Sequence, residues 1–225
     1  MLHVFVETNW VFGFAAPAHH KDPKAVELFD KARRGDLRLH LPSLCVTEVR
    51  NPLRAKCQPR NEAGVIRDFL DWSRDSSRLT KEDYETTKQL LDRFEASVKS
   101  ELDLLPQTLA TLRREPNIEV FALSEPMLAM AVGLAFVDLH LDPYDQSILS
   151  AVLIRARELW DAGEQDLCFC ELDKHLQPWD KSGKRVPLCD LYDQARVWVY
   201  GNFELTKPVR PPGWPVNPPA LGSSI

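Results

Sequence analysis

Four acidic side chains stand where the sequence changes from one kind of segment to another. Glu7 closes a short apolar run, Glu48 lies a few residues beyond a Pro–Ser corner, Asp145 opens an apolar stretch after Asp142-Pro143-Tyr144, and Asp173 follows a second apolar run. Carboxylates gathered in one place repel: two of them about 4 Å apart cost about 4 kcal/mol at an effective dielectric near 20. Such a group either binds protons more tightly or holds a cation. An all-oxygen ligand set suits Mg²⁺ or Mn²⁺ rather than zinc. A divalent ion there would lower the pKa of a water and offset charge in the in-line displacement at a phosphodiester. Thr8 and Asn9, next to Glu7, are candidates to support the site or meet substrate. Arg50 and Arg54, with Lys56 and Arg60, form a basic run after Glu48 that suits phosphate contact. No Ser–His or Cys–His pair offers a rival nucleophile, and His19, His20 and His175 have no ligand-like spacing.

These four acids converge only if the elements before them converge. Leu2–Val6 predicts a buried strand ending at Glu7. A helix is expected from Lys24 to Arg34, with Ala25, Leu28, Phe29 and Ala32 on one face and Gly35 stopping it. Leu37–Leu41 predicts a second strand, and Pro42-Ser43 opens a helix with Ser43 as its N-cap. Residues from about 61 to 114 carry helical periodicity and no strand-like run. They predict a helical insertion, with Thr80 capping its longer helix. Ile118–Leu123 predicts a third strand, followed by helices from Ser124 and from Asp142. Leu167–Cys170 predicts a fourth strand and Ala195–Tyr200 a fifth. The proline-rich segment 205–225 predicts an extended, disordered tail. Strands alternating with helices imply an α/β fold with a mostly parallel central sheet, and ligands in such folds bind beyond the carboxyl ends of the strands.

Bulk composition narrows the setting. The chain has 225 residues, 44% hydrophobic and 27% charged, which is one domain, 1–204, carrying the insertion. A net charge of −5 argues against capture of nucleic acid by the whole surface, so binding would rely on a local basic patch or bridging metal. Cys45, Cys57, Cys168, Cys170 and Cys189 are odd in number and widely spaced, which suits reduced thiols rather than a disulfide framework. The start MLHVFVETNW has no basic stretch ahead of a long apolar run, and no segment approaches membrane-spanning length. A cytoplasmic protein without membrane contact is expected. Trp72 and Trp160 read as packing residues.

The four acids also carry a resemblance. VFVETN resembles the first-strand motif of PIN-domain nucleases, LHLPSLCVTEV their second, LDPYDQSILSAVL their third and LCFCELDKHL their fourth, in the same order. The resemblance spans roughly residues 1–55 and 118–204 and leaves out the insertion and the tail. It implies a PIN-like fold and a Mg²⁺- or Mn²⁺-dependent endoribonuclease, often a toxin of a toxin–antitoxin pair. Glu7, Glu48, Asp145 and Asp173 would be its catalytic metal ligands. Implied partners are RNA and an antitoxin or other protein; a homodimer is compatible. Two features depart from the family pattern: the first acid is usually Asp and here is Glu7, and the chain is longer than a minimal toxin. The first of these, with the acidic balance of the chain, suits an alternative, a catalytically weak or inactive module that binds RNA or a protein; the second bears on the toxin role. Each acid has a structural reading too: Glu7 as a polar strand end, Glu48 as a helix carboxylate, Asp145 as the third residue of a helix capped by Asp142, and Asp173 as an N-cap.

Overall fold

The computed structural model describes residues 1–205 apart from Asp138 and Ser182, and apart from the side chains of Glu62 and Lys184. The proline-rich segment expected to be disordered lies, from residue 206 onward, outside the described residues. Five strands form one parallel sheet: β1 (Leu2–Val6), β2 (Leu37–Pro42), β3 (Ile118–Phe121), β4 (Leu167–Cys170) and, after a small hairpin of β5 (Trp179–Asp180) and β6 (Gly183–Lys184), β7 (Trp198–Tyr200). Their order is β3-β2-β1-β4-β7. The chain therefore winds outward from β1 in one direction, then returns to the other side of β1 through β4. In an open parallel sheet that reversal, between β1 and β4, is where a crevice opens at the carboxyl edge.

β1 and β4 are buried along nearly their whole length, which explains why both read as continuous apolar runs rather than alternating ones. Helices flank the sheet. After β1 comes α1 (Thr8–Ala15), then α2 (Pro23–Arg34), capped by Asp22 and ended by Gly35 at φ 82°, a left-handed conformation that glycine adopts at no steric cost. Two short helices follow β2, α3 (Ser43–Glu48) and α4 (Arg50–Lys56). The sequence placed Ser43 as an N-cap; in the structure Pro42 holds that position, and Ser43 is the first helical residue. The insertion is α5 (Pro59–Asp75), α6 (Lys81–Asp103) and α7 (Leu105–Leu112), with the Thr80 side chain accepting from the Asp83 amide as expected. α8 (Glu125–Leu134) and the largely buried α9 (Pro143–Asp161) connect β3 to β4, and α10 (Val186–Gln194) leads into β7. Trp72 and Trp160 are not core residues: they are 50% and 39% exposed, each covered by a guanidinium, from Arg78 and Arg196.

One polar thread crosses the sheet. His3 Nδ1 lies 2.9 Å from His40 Nε2, His40 Nδ1 lies 2.7 Å from Glu119 Oε2, and Glu119 Oε1 accepts from Arg155 at 2.8 Å. At its other end His3 Nε2 sits 3.0 Å from Glu164. Burial lowers the pKa of both histidines, while His40 and Arg155 hold Glu119 down at about 2. Among the described residues no helix is long and apolar enough to cross a membrane. All five cysteines are buried and none is in a disulfide.

Candidate active site

Each predicted acid is delivered by a different element. Glu7 follows β1 directly and serves as the N-cap of α1, its Oε2 accepting from the Asn9 amide at 2.6 Å. Glu48 is the last residue of α3, and the Thr8 hydroxyl donates to it. Asp145 lies in the first turn of α9, whose N-cap Asp142 accepts from the amides of Tyr144 and Asp145 at 2.7 and 2.9 Å. Asp173 lies three residues beyond β4 and accepts from the His175 amide at 2.8 Å; a turn, not a helix, follows it. These segments are far apart in sequence, yet Glu7, Glu48, Asp145 and Asp173 all line one cleft of about 180 Å³ beyond the carboxyl edge of the sheet. Thr8 and Asn9 line it too, with Phe12, Pro52, Ile148 and Leu176 as apolar walls and Lys56 at its side.

Electrostatics mark the cleft as a place where negative charge is concentrated. Glu7 is 2% exposed, and burial raises its pKa to about 7, against the pull of the Asn9 and Leu172 amides. Its Oε1 is buried with no hydrogen-bond partner. Asp145 rises to about 6, first through burial and then through the charges of Asp173 and Asp142, with His175 opposing. An orphaned buried carboxylate oxygen and four carboxylates in the lining, with no thiol or imidazole among them, fit a hard divalent cation better than a soft one. Among the described residues, no three acidic, histidine or cysteine side chains stand close enough to form a ready cage.

No family model, curated protein or solved structure matches this chain. The functional reading rests on the cleft itself.

The basic run divides. Lys56 reaches the cleft, its ammonium 5.4 Å from the Phe12 ring centroid. Arg54 instead lines a separate groove of about 690 Å³ between the start of α5 and α6, with Arg60, Lys99, Asp92 and Glu95. Arg50 is exposed on α4 and lines neither. Thr8, expected to meet substrate, spends its hydroxyl on Glu48 and so positions a carboxylate.

One acid went unassigned in the sequence reading. Glu171 follows β4 as Glu7 follows β1, is fully buried, and has its pKa raised well above the usual range by burial and by the charges of Glu7, Asp173 and Asp145. The signal was present: LHVFVE and LCFCE are the same pattern, an apolar strand closed by glutamate.

Proposed function

We propose that the chain is a PIN-like, divalent-metal-dependent endoribonuclease that hydrolyses RNA phosphodiester bonds. The observation that carries this reading is the meeting of Glu7, Glu48, Asp145 and Asp173, from four separate segments, in one cleft at the carboxyl edge of a five-stranded parallel sheet. Mg²⁺ or Mn²⁺ would supply Lewis acidity and an activated water there. The protein's own residues do the rest. Asp145 and Asp173 face the cleft from the α9 start and the β4 end, where they would hold the ion directly or through water. Glu48, fixed by the Thr8 hydroxyl, holds a carboxylate opposite them. Glu7 forms the buried floor, with one oxygen on the Asn9 amide and one free. Lys56 would meet a phosphate at the rim.

The test is cleavage of single-stranded and structured RNA by purified protein with Mn²⁺. Asp145→Asn is expected to abolish cleavage and leave the circular dichroism melt intact; full activity in that variant would exclude Asp145 as an essential ligand. A second reading, an RNA- or protein-binding module of weak or no activity, is favoured by Glu7, one methylene longer than the family's usual Asp and folded back onto the Asn9 amide. RNA binding without cleavage under the same conditions would select it. A toxin role, with a cognate antitoxin, belongs to the resemblance and would be tested by growth arrest on expression.

A further inference from the structure

β1 and β4 are hydrogen-bonded neighbours, with Val6 opposite Cys170. The next residues on the two strands are therefore Glu7 and Glu171, side by side on the two strands that flank the reversal in strand order. Their carboxylates are wrapped in the same way. Glu7 Oε2 accepts from the amide two residues on, at Asn9, at 2.6 Å; Glu171 Oε2 accepts from the amide two residues on, at Asp173, at 2.9 Å. Each is left with a buried Oε1 that has no hydrogen-bond partner. Neighbouring strands run about 4.7–4.9 Å apart, so the two carboxylates leave the sheet edge from adjacent positions, Glu7 into the cleft lining and Glu171 behind it.

Each orphan oxygen alone is costly, because a buried acceptor without a donor forfeits its hydration. Two of them on adjacent strands cost more again once both are ionised. A shared proton or a cation that meets both offsets that cost. No basic side chain does so here: the cleft's one lysine, Lys56, sits against Phe12 at the side, and neither glutamate has a salt bridge among the described residues. We infer that Glu171 is a fifth cation-binding carboxylate, and that Glu7 and Glu171 together form the deep seat for a divalent ion, with Asp145 and Asp173 nearer the mouth. The inference rests on the metal-dependent reading of the cleft and deepens it. A seat of two carboxylates completed by water is the coordination that Mg²⁺ and Mn²⁺ commonly accept.

The decisive variant is Glu171→Gln, which keeps an oxygen for the Asp173 amide and removes the charge. Mn²⁺ binding is measured by calorimetry at pH 8, and the Mn²⁺-induced rise in melting temperature by circular dichroism, for the full chain in both forms. Glu171→Gln is expected to bind Mn²⁺ at least tenfold more weakly and to lose most of the Mn²⁺-induced rise, while its melt in EDTA stays cooperative. If Glu171 serves only to hold the Asp173 amide, Gln preserves that bond and Mn²⁺ affinity is unchanged, which overturns the inference and leaves the four-acid cleft standing. If the native protein itself shows no Mn²⁺ binding, the metal-dependent reading falls and takes this inference with it. Should Glu171→Gln fail to fold, a crystal structure of the native chain with Mn²⁺ decides: an ion about 2.0–2.6 Å from a Glu171 oxygen supports the seat, and an ion bound away from Glu171 overturns it.

Discussion

Replacing Glu7 by Gln in the metal-free protein should stabilise it, and by an amount that depends on pH. Burial holds the Glu7 carboxyl at about 7 instead of the ordinary 4.5. A folded-state pKa above the unfolded one means that the native protein binds the proton more tightly. The stability associated with that proton is fully present below pH 4.5 and is lost as pH rises through 7. Each pKa unit is worth about 1.4 kcal/mol, so ionised Glu7 costs the native state about 3 kcal/mol at pH 8 and less than about 1 kcal/mol at pH 5. Gln carries no such cost. It can still accept from the Asn9 amide. Urea unfolding in EDTA at the two pH values measures the effect. The stability gap between Glu7→Gln and the native chain should widen by about 2 kcal/mol from pH 5 to pH 8. A gap that stays constant would show that Glu7 is not desolvated in the native state, and would remove the physical basis for a cation-demanding cleft. With saturating Mn²⁺ at pH 8 the order should reverse, because ligation stabilises the native chain by mass action and Glu7→Gln offers one carboxylate fewer.

Other predictions follow from the same geometry. Mn²⁺ affinity, read by calorimetry, should rise steeply between pH 5 and pH 8, since Asp145 at about 6 and Glu7 at about 7 must lose their protons to bind; a flat profile would place the ion elsewhere. Thr8→Val should lower the cleavage rate several-fold with little change in melting temperature, because it frees Glu48 from the hydroxyl that orients it; unchanged kinetics would make that bond incidental. Glu119→Gln should flatten the acid limb of the stability profile. Glu119 is held down at about 2, so its contribution, present above about 4.5, is lost between 4.5 and 2 in the native chain only, as urea midpoints at pH 4.5 and 2.5 would report. Gly13→Ala should destabilise the fold by about 1–3 kcal/mol in thermal melts, because a Cβ there comes within 2.9 Å of Asp22 Cβ where α1 packs on α2.

Much of the frame was legible because burial leaves a plain mark on sequence. β1 and β4 are covered on both faces, so each reads as an unbroken apolar run ending in an acid, and each strand began where expected. Asp142-Pro143-Tyr144-Asp145 carries its cap in its composition, and the structure gives Asp142 that role. Other elements hid. α1 begins immediately after Glu7, but TNWVFGFA is rich in aromatic and β-branched residues and has little helical periodicity, since most of that helix is buried. Its helical form comes from tertiary packing, and its first turn is held by the Glu7 side chain that the sequence suggested for another role. Arg54 hid for a different reason. Its closeness in sequence to Glu48 suggested one surface, whereas α4 and the insertion carry it to a groove shared with α6, a neighbour more than thirty residues away that no local pattern reveals.

Glu171 shows how a motif can conceal a residue. The resemblance points to Asp173 and passes over the strand-closing glutamate two positions before it. Topology restores it. In a sheet ordered β3-β2-β1-β4-β7 only β1 and β4 border the reversal, so the residues that close those two strands are the ones the fold brings to the crevice. Both are glutamate, both are buried, and both bond the amide two residues on while leaving one oxygen free. Departure from the family pattern at Glu7 and the unassigned Glu171 then become one fact rather than two. A glutamate bent onto the first turn of α1 reaches less far into the cleft than its length suggests, and a second carboxylate from the adjacent strand is the simplest way to complete the coordination it gives up. On that argument the Glu7→Asp change, which installs the residue usual in the family the motifs resemble, should not improve Mn²⁺ binding while Glu171 is in place; a gain in affinity would show instead that Glu7 is a defect in the site.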